Sequence, residues 1–108
     1  MSVIGHKAYI ITNNKIWEFD NQTYMIEEKL SGNIEGQFSN VLKNKVYISS
    51  SEKILEYDPV SNQIKEISQL AYGVGTVFVW DGKLFNFVFS GVFSELSSHY
   101  YYIDPSQL

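Results

Sequence analysis

The chain has 108 residues, one domain's worth, and 44% of them are hydrophobic, too many for a disordered protein. Eight lysines, no arginine and twelve carboxylates give a net charge of -4. Nucleic acid is thereby excluded as an expected partner, because its binders show a basic excess and arginine forks. Cysteine is absent, which removes disulfides, thiolate metal sites and a cysteine nucleophile.

In chain order, Val3–Ile10 reads as two short apolar runs around a Gly5-His6 turn, and Lys15–Asp20 as a third run. Tyr24–Leu30 lacks a 3.6-residue apolar stripe, so no helix is expected there. Phe38–Leu42 leads into a Lys43-Asn44 turn, followed by the β-branched and aromatic runs Lys45–Ser50 and Lys53–Asp58. Asp58-Pro59-Val60-Ser61-Asn62 is a turn, since proline presets φ and Asp and Asn satisfy backbone groups locally. Gln63–Ile67 is another short strand. Asp81-Gly82, between Val77–Trp80 and Leu84–Phe89, is the strongest short hairpin signal in the chain.

These elements repeat. Val3–Ile10 aligns with Val41–Ile48 at a shift of 38, and Lys15–Asp20 aligns with Lys53–Asp58 at the same shift. Val41, Lys45 and Tyr47 carry on to Val79, Lys83 and Phe85. The third copy returns to register only at Tyr102-Ile103-Asp104-Pro105, about eight residues late, so an insertion lies within Ser90–Tyr100. The expected organisation is a single domain, 1–108, divided at about 1–36, 37–73 and 74–108. Four short antiparallel strands per copy, at a period near 40, are the signature of a propeller blade. The fold class expected is all-β: about three four-stranded antiparallel blades forming a partial or oligomer-completed β-propeller.

Lys45-Val46-Tyr47-Ile48, followed by Ile54-Leu55-Glu56-Tyr57-Asp58-Pro59-Val60-Ser61-Asn62, resembles the kelch blade pattern over nearly the whole chain. The departures are specific. The family's glycine pair is replaced by Thr12-Asn13, Ser50-Ser51 and Ser90-Gly91, and its last-strand tryptophan by Ile26 and Ile64. Kelch-like propellers include both interaction modules and enzymes or sugar-binding proteins, so the resemblance implies the fold and does not choose between functions.

No motif reaches catalytic grade. His6 fills a turn slot held by Asn44 and Gly82 in the other copies, and His99 lies in the insertion. Asp20, Asp58 and Asp104 recur as turn formers. Glu18 and Glu56 share a repeat position in alternating strands, at a surface or blade–blade boundary, and are expected to be solvated rather than paired for acid–base work. Gly73-Val74-Gly75 lacks the third glycine and following helix of a dinucleotide fingerprint. No catalytic residue, cofactor or metal site is therefore expected. No signal-peptide pattern is visible in Met1–Thr12, and the uncharged stretch that contains Leu70–Trp80 falls far short of the roughly 20 residues of a membrane span. A cytoplasmic protein is the default, with a virion or surface assembly as another setting.

The third copy differs in kind, because Val77–Trp80 and Leu84–Phe89 are apolar on nearly both faces. Two readings stand: a blade buried on both faces, or a contact surface. The second makes Phe87, Phe89, Phe93 and Tyr101 an interaction surface. Three blades are too few for a ring of 4–8, roughly the range that propellers use. A homo-oligomer, with a six-bladed dimer favoured, or membership of a larger protein assembly is the expected state. The function expected is a non-enzymatic interaction or structural module; a sugar- or small-ligand-binding or enzymatic propeller subunit is the alternative.

Overall fold

A computed structural model of the chain describes residues 1–50, 53–67, 74–92 and 95–103, with side chains described as far as residue 87. All regular structure in the described residues is strand. The first sheet contains β1 (Ser2–Ile4), β2 (Lys7–Ile11), β3 (Lys15–Asp20) and β4 (Met25–Ser31). The second contains β5 (Phe38–Leu42), β6 (Lys45–Ser49), β7 (Ile54–Asp58) and β8 (Gln63–Ile67). The third contains β9 (Thr76–Trp80), β10 (Lys83–Val92) and β11 (Glu95–Ile103). Each is an antiparallel meander in sequence order, and the first strands of successive sheets lie side by side. That is the arrangement of propeller blades around an axis.

The turns explain why these strands pair. Lys43 and Asn44 have φ of 51° and 62°, and Asp81 and Gly82 have 52° and 68°. Two consecutive positive φ values match the right-handed twist of the flanking strands, as two-residue hairpins require. In the first copy Gly5 takes a φ of 61° at the corresponding place. Between third and fourth strands, Asp20 Oδ1 accepts from the Gln22 N–H at 2.9 Å, and Asp58 Oδ1 accepts from the Val60 N–H at 2.9 Å. Both aspartates are turn formers, as their repetition implied; Asp104 lies outside the described residues.

Register confirms the repeat and places the insertion. Ala8 pairs with Phe19, Val46 with Tyr57 and Leu84 with Ile103. Ten residues separate the first two pairs, and eighteen separate the third. The additional eight residues lengthen the hairpin rather than forming a separate loop. β9 follows β10 only as far as Phe87, and from Val88↔His99 to Val92↔Glu95 the two long strands pair with each other alone. A two-stranded ribbon thus extends beyond the third sheet. Among the described residues this sheet has three strands, where each copy was expected to supply four.

Two apolar layers hold the sheets together. Tyr9 and Ile16 of the first sheet pack against Val46, Ile48, Leu55 and Tyr57 of the second, with Ile34 from the connection filling the seam. Leu42, Tyr47, Ile54 and Ile67 of the second pack against Val77 and Leu84 of the third. The pleat sends alternate residues to opposite faces, so β6 feeds Val46 and Ile48 to one layer and Tyr47 to the other. Gly36 sits where the connection crosses this seam. A Cβ there would lie 2.5 Å from Ile11 Cγ2 and 3.0 Å from Ile48 Cγ2, which only glycine avoids.

The outer strands β4 and β8 are mostly exposed, and carry Glu27, Glu28 and Lys29, and Lys65 and Glu66, respectively. Charged outer strands discourage unplanned edge pairing. A register shift at Ile16/Trp17 leaves Lys29 without a cross-strand partner on β3, and its carbonyl accepts a 2.9 Å hydrogen bond from Asn62 Nδ2 of the second sheet.

Candidate functional site

Glu18 and Glu56 are not solvated. They are 9% and 5% exposed, and this corrects the expectation drawn from strand alternation. Alternation assigned them to the face opposite Phe19 and Tyr57, which is right, but that face is covered by the next sheet. Each carboxylate is matched by groups from the neighbouring strand of its own sheet. Tyr9 Oη donates to Glu18 Oε2 at 3.0 Å, and Tyr47 Oη donates to Glu56 Oε2 at 2.9 Å. Lys7 Nζ lies 3.3 Å from Glu18 Oε1; Lys45 Nζ and Lys65 Nζ lie 3.5 and 3.6 Å from Glu56 Oε1.

The same lysine–tyrosine–glutamate set therefore recurs between blades. Its signal was present in the sequence as Lys7/Lys45, Tyr9/Tyr47 and Glu18/Glu56 at one offset, and cross-strand register is what unites it. In the third copy the corresponding positions are Lys83, Phe85 and Tyr102. Burial, then the bond to glutamate, pushes the Tyr9 and Tyr47 phenols well above the ordinary tyrosine range. Burial also pushes Tyr57 up to about 12. With both oxygens of each carboxylate engaged, the set latches adjacent strands.

Other candidates take modest places. His6 sits in its exposed turn with Nε2 3.6 Å from Asp20 Oδ2. The N–H of Gln22, aided by Thr23, His6 and Lys7, holds the Asp20 carboxyl below its usual value. Gly75 donates its N–H to the buried Asn86 Oδ1 at 2.8 Å, whereas Gly73 lies outside the described residues. Among the described residues no three of His, Cys, Asp and Glu gather as a metal site, and no helix is long and apolar enough to cross a membrane. A shallow recess of about 240 Å³ beside the inner strands is lined by Phe38, Ser39, Asn40, Gly75, Thr76 and Val77. None of these side chains titrates near neutral pH.

The third sheet presents aromatic surface. Phe78, half-buried, stacks on Phe85 with centroids 5.5 Å apart, and Trp80, 69% exposed, leans on it at 6.2 Å, while Phe85 itself is buried at 7% exposure. Phe87 is partly exposed at the end of the three-stranded part. Of the other residues expected to form a surface, Phe89 pairs with Ser98 in the ribbon, and Tyr101 pairs with Asn86. Phe87 itself pairs with Tyr100. Phe93 lies outside the described residues. Sequence reading missed Phe78 and Trp80 as members of this surface, because a strand apolar at nearly every position does not declare which face is covered.

No family model and no curated protein matches the chain. Among solved structures, it is similar to the N-terminal domain of Nup159, a β-propeller, at a TM-score of 0.65 and 14% sequence identity. The superposition covers 98% of this chain and 31% of that one. The chain thus has the blade-like, all-β architecture of a segment of a propeller.

Proposed function

We propose that the chain is a non-enzymatic interaction or structural module whose kelch-like blades assemble through the third sheet. The observation that carries this reading is Trp80, 69% exposed, beside the half-buried Phe78, both packed over the buried ring of Phe85. Aromatic side chains supply large contact area with little loss of side-chain freedom and are enriched at interface centres. Phe87, Phe89, Phe93 and Tyr101 belong to the same proposal. The products are a homo-oligomer, with a six-bladed dimer favoured, or incorporation into a larger assembly. A cytoplasmic setting is part of the same reading.

The test is Phe93→Asp, followed by light scattering at micromolar concentration and far-ultraviolet circular dichroism. Loss of assembly with an unchanged β-sheet spectrum supports the contact surface. Normal assembly rules Phe93 out of it, and unfolding assigns the residue to a core.

A further inference from the structure

Each of the two junctions inside the chain uses the same repeat positions. Ser2 and Ser39 hydroxyls meet at 2.6 Å between the inner strands of the first and second sheets. One repeat later, Asn40 Nδ2 donates to the Val77 carbonyl at 3.0 Å between the second and third. Ile4 and Tyr9 lie in the first junction, and their counterparts Leu42 and Tyr47 lie in the second. A junction therefore has two distinct halves. One half presents the Ile4/Tyr9 positions forward, and the other receives them on the positions of Val46, Ile48, Leu55 and Tyr57.

Both halves are also present at the ends of the stack. The first sheet's outer face carries Val3, Ala8, Ile10, Trp17, Phe19 and Ile26, which are the counterparts of Val41, Val46, Ile48, Leu55, Tyr57 and Ile64. Val46, Ile48, Leu55 and Tyr57 are buried, at 7% exposure or less, while Ala8, Ile10, Trp17 and Phe19 are only half-buried; Val3 and Ile26 are 57% and 58% exposed, against a half-buried Val41 and 37% for Ile64. At the far end Phe78, Trp80 and Phe85 stand where Asn40, Leu42 and Tyr47 stand in the second sheet. The chain thus ends in a receiving half on one side and a presenting half on the other.

We infer that the outer face of the first sheet is the docking site for the third sheet of a second copy of this chain, joined head to tail. This rests on the reading of the third sheet as a contact surface, and names its counter-surface. The substitutions at the two ends suit each other. Within the chain, Tyr9 meets Tyr57 edge-on with centroids 5.9 Å apart. At the new junction the corresponding positions are Phe85, 7% exposed and backing Phe78 and Trp80, and Phe19, so the exposed Trp80 ring supplies an aromatic contact with no phenol to satisfy. At the margin, Lys15 lies 5.4 Å above the Trp17 ring and 3.4 Å from Glu28, a polar rim around the apolar centre. Unlike halves make a heterologous contact, which ends in a closed ring when the rotations sum to a full turn.

The experiment is sedimentation of the wild-type chain, Phe19→Asp, Val3→Asp and Trp80→Asp, each checked for its β-sheet spectrum. The wild type is expected at twice 12.4 kDa and each variant at 12.4 kDa. An equimolar mixture of Phe19→Asp and Trp80→Asp should recover the two-chain species, since one intact presenting half meets one intact receiving half. If Phe19→Asp unfolds, Val3→Asp takes its place in both measurements, because that side chain is already open to solvent. Wild-type assembly that survives both first-sheet substitutions overturns this inference and leaves the third-sheet reading standing. A mixture that stays monomeric also overturns it, because an intact presenting half would then have failed to join an intact receiving half. A monomeric wild type removes both readings.

Discussion

The first and second sheets are copies of one repeat, with hairpins in the same register, yet they are buried differently. Val46, Ile48, Leu55 and Tyr57 are at most 7% exposed, while their first-sheet counterparts Ala8, Ile10, Trp17 and Phe19 are only half-buried. Local sequence does not account for this, since Trp17 and Phe19 are at least as apolar as Leu55 and Tyr57. The difference comes from neighbours: the second sheet lies between two others, and the first has one covered face. In a stack of like units, burial of a side chain is set by the position of its unit, as in repeat proteins generally.

The largest expected effect tests that contrast directly. Tyr57→Ala should cost about 3–5 kcal/mol, the usual range for emptying a fully buried aromatic site. Phe19→Ala, at the counterpart position, should cost about 1 kcal/mol, the centre of the general distribution for point substitutions. Urea unfolding of both variants under dilute, monomeric conditions checks this; equal losses would mean that the first sheet's outer face is packed as tightly as the second's.

A second substitution sharpens the role of the junction between these sheets. Gly36→Ala places a methyl against the Cγ2 atoms of Ile11 and Ile48. Overpacking of this kind costs about 1–3 kcal/mol. The measurement is the midpoint of denaturant unfolding, and an unchanged midpoint would show that the two sheets separate without cost.

The buried tyrosines predict an alkaline limit. Folded Tyr9, Tyr47 and Tyr57 hold their protons more tightly than the ordinary value of 10.0 allows in the unfolded chain. Their stabilising contribution is therefore fully present below pH 10 and is lost as pH rises past that value toward 12. A thermal midpoint that is steady from pH 8 to about 10 and falls above it is the expected profile. Tyr57→Phe should flatten part of the fall. The smallest effects belong to turn slots shared by all copies. His6→Asn and Asp81→Asn should each stay within about 0.5 kcal/mol in the same denaturation assay, because both side chains are exposed.

Much of the architecture was legible in residues alone. The constant offset of 38, Asp81-Gly82 and Asp58-Pro59 mark turns whose backbone chemistry is local, and strand positions follow from β-branched and aromatic runs between them. The length of the insertion was legible too, as the late return of Ile103-Asp104 shows. Its form was not, because eight residues can make a loop or lengthen two strands, and hairpin pairing decides between them. The glutamates were misread for a related reason. A carboxylate in an alternating strand is ordinarily solvated, and only the sheet stacked over that face, together with cross-strand Tyr9 and Tyr47, makes Glu18 and Glu56 buried and paired. Gly36, Ile34 and the two unlike ends of the stack likewise depend on which sheet faces which. Turn and strand preferences are interactions between residues a few positions apart, so the sequence by itself determined them. Which strand faces meet is a matter of contacts made across a full repeat, and those contacts exist only once the sheets are stacked.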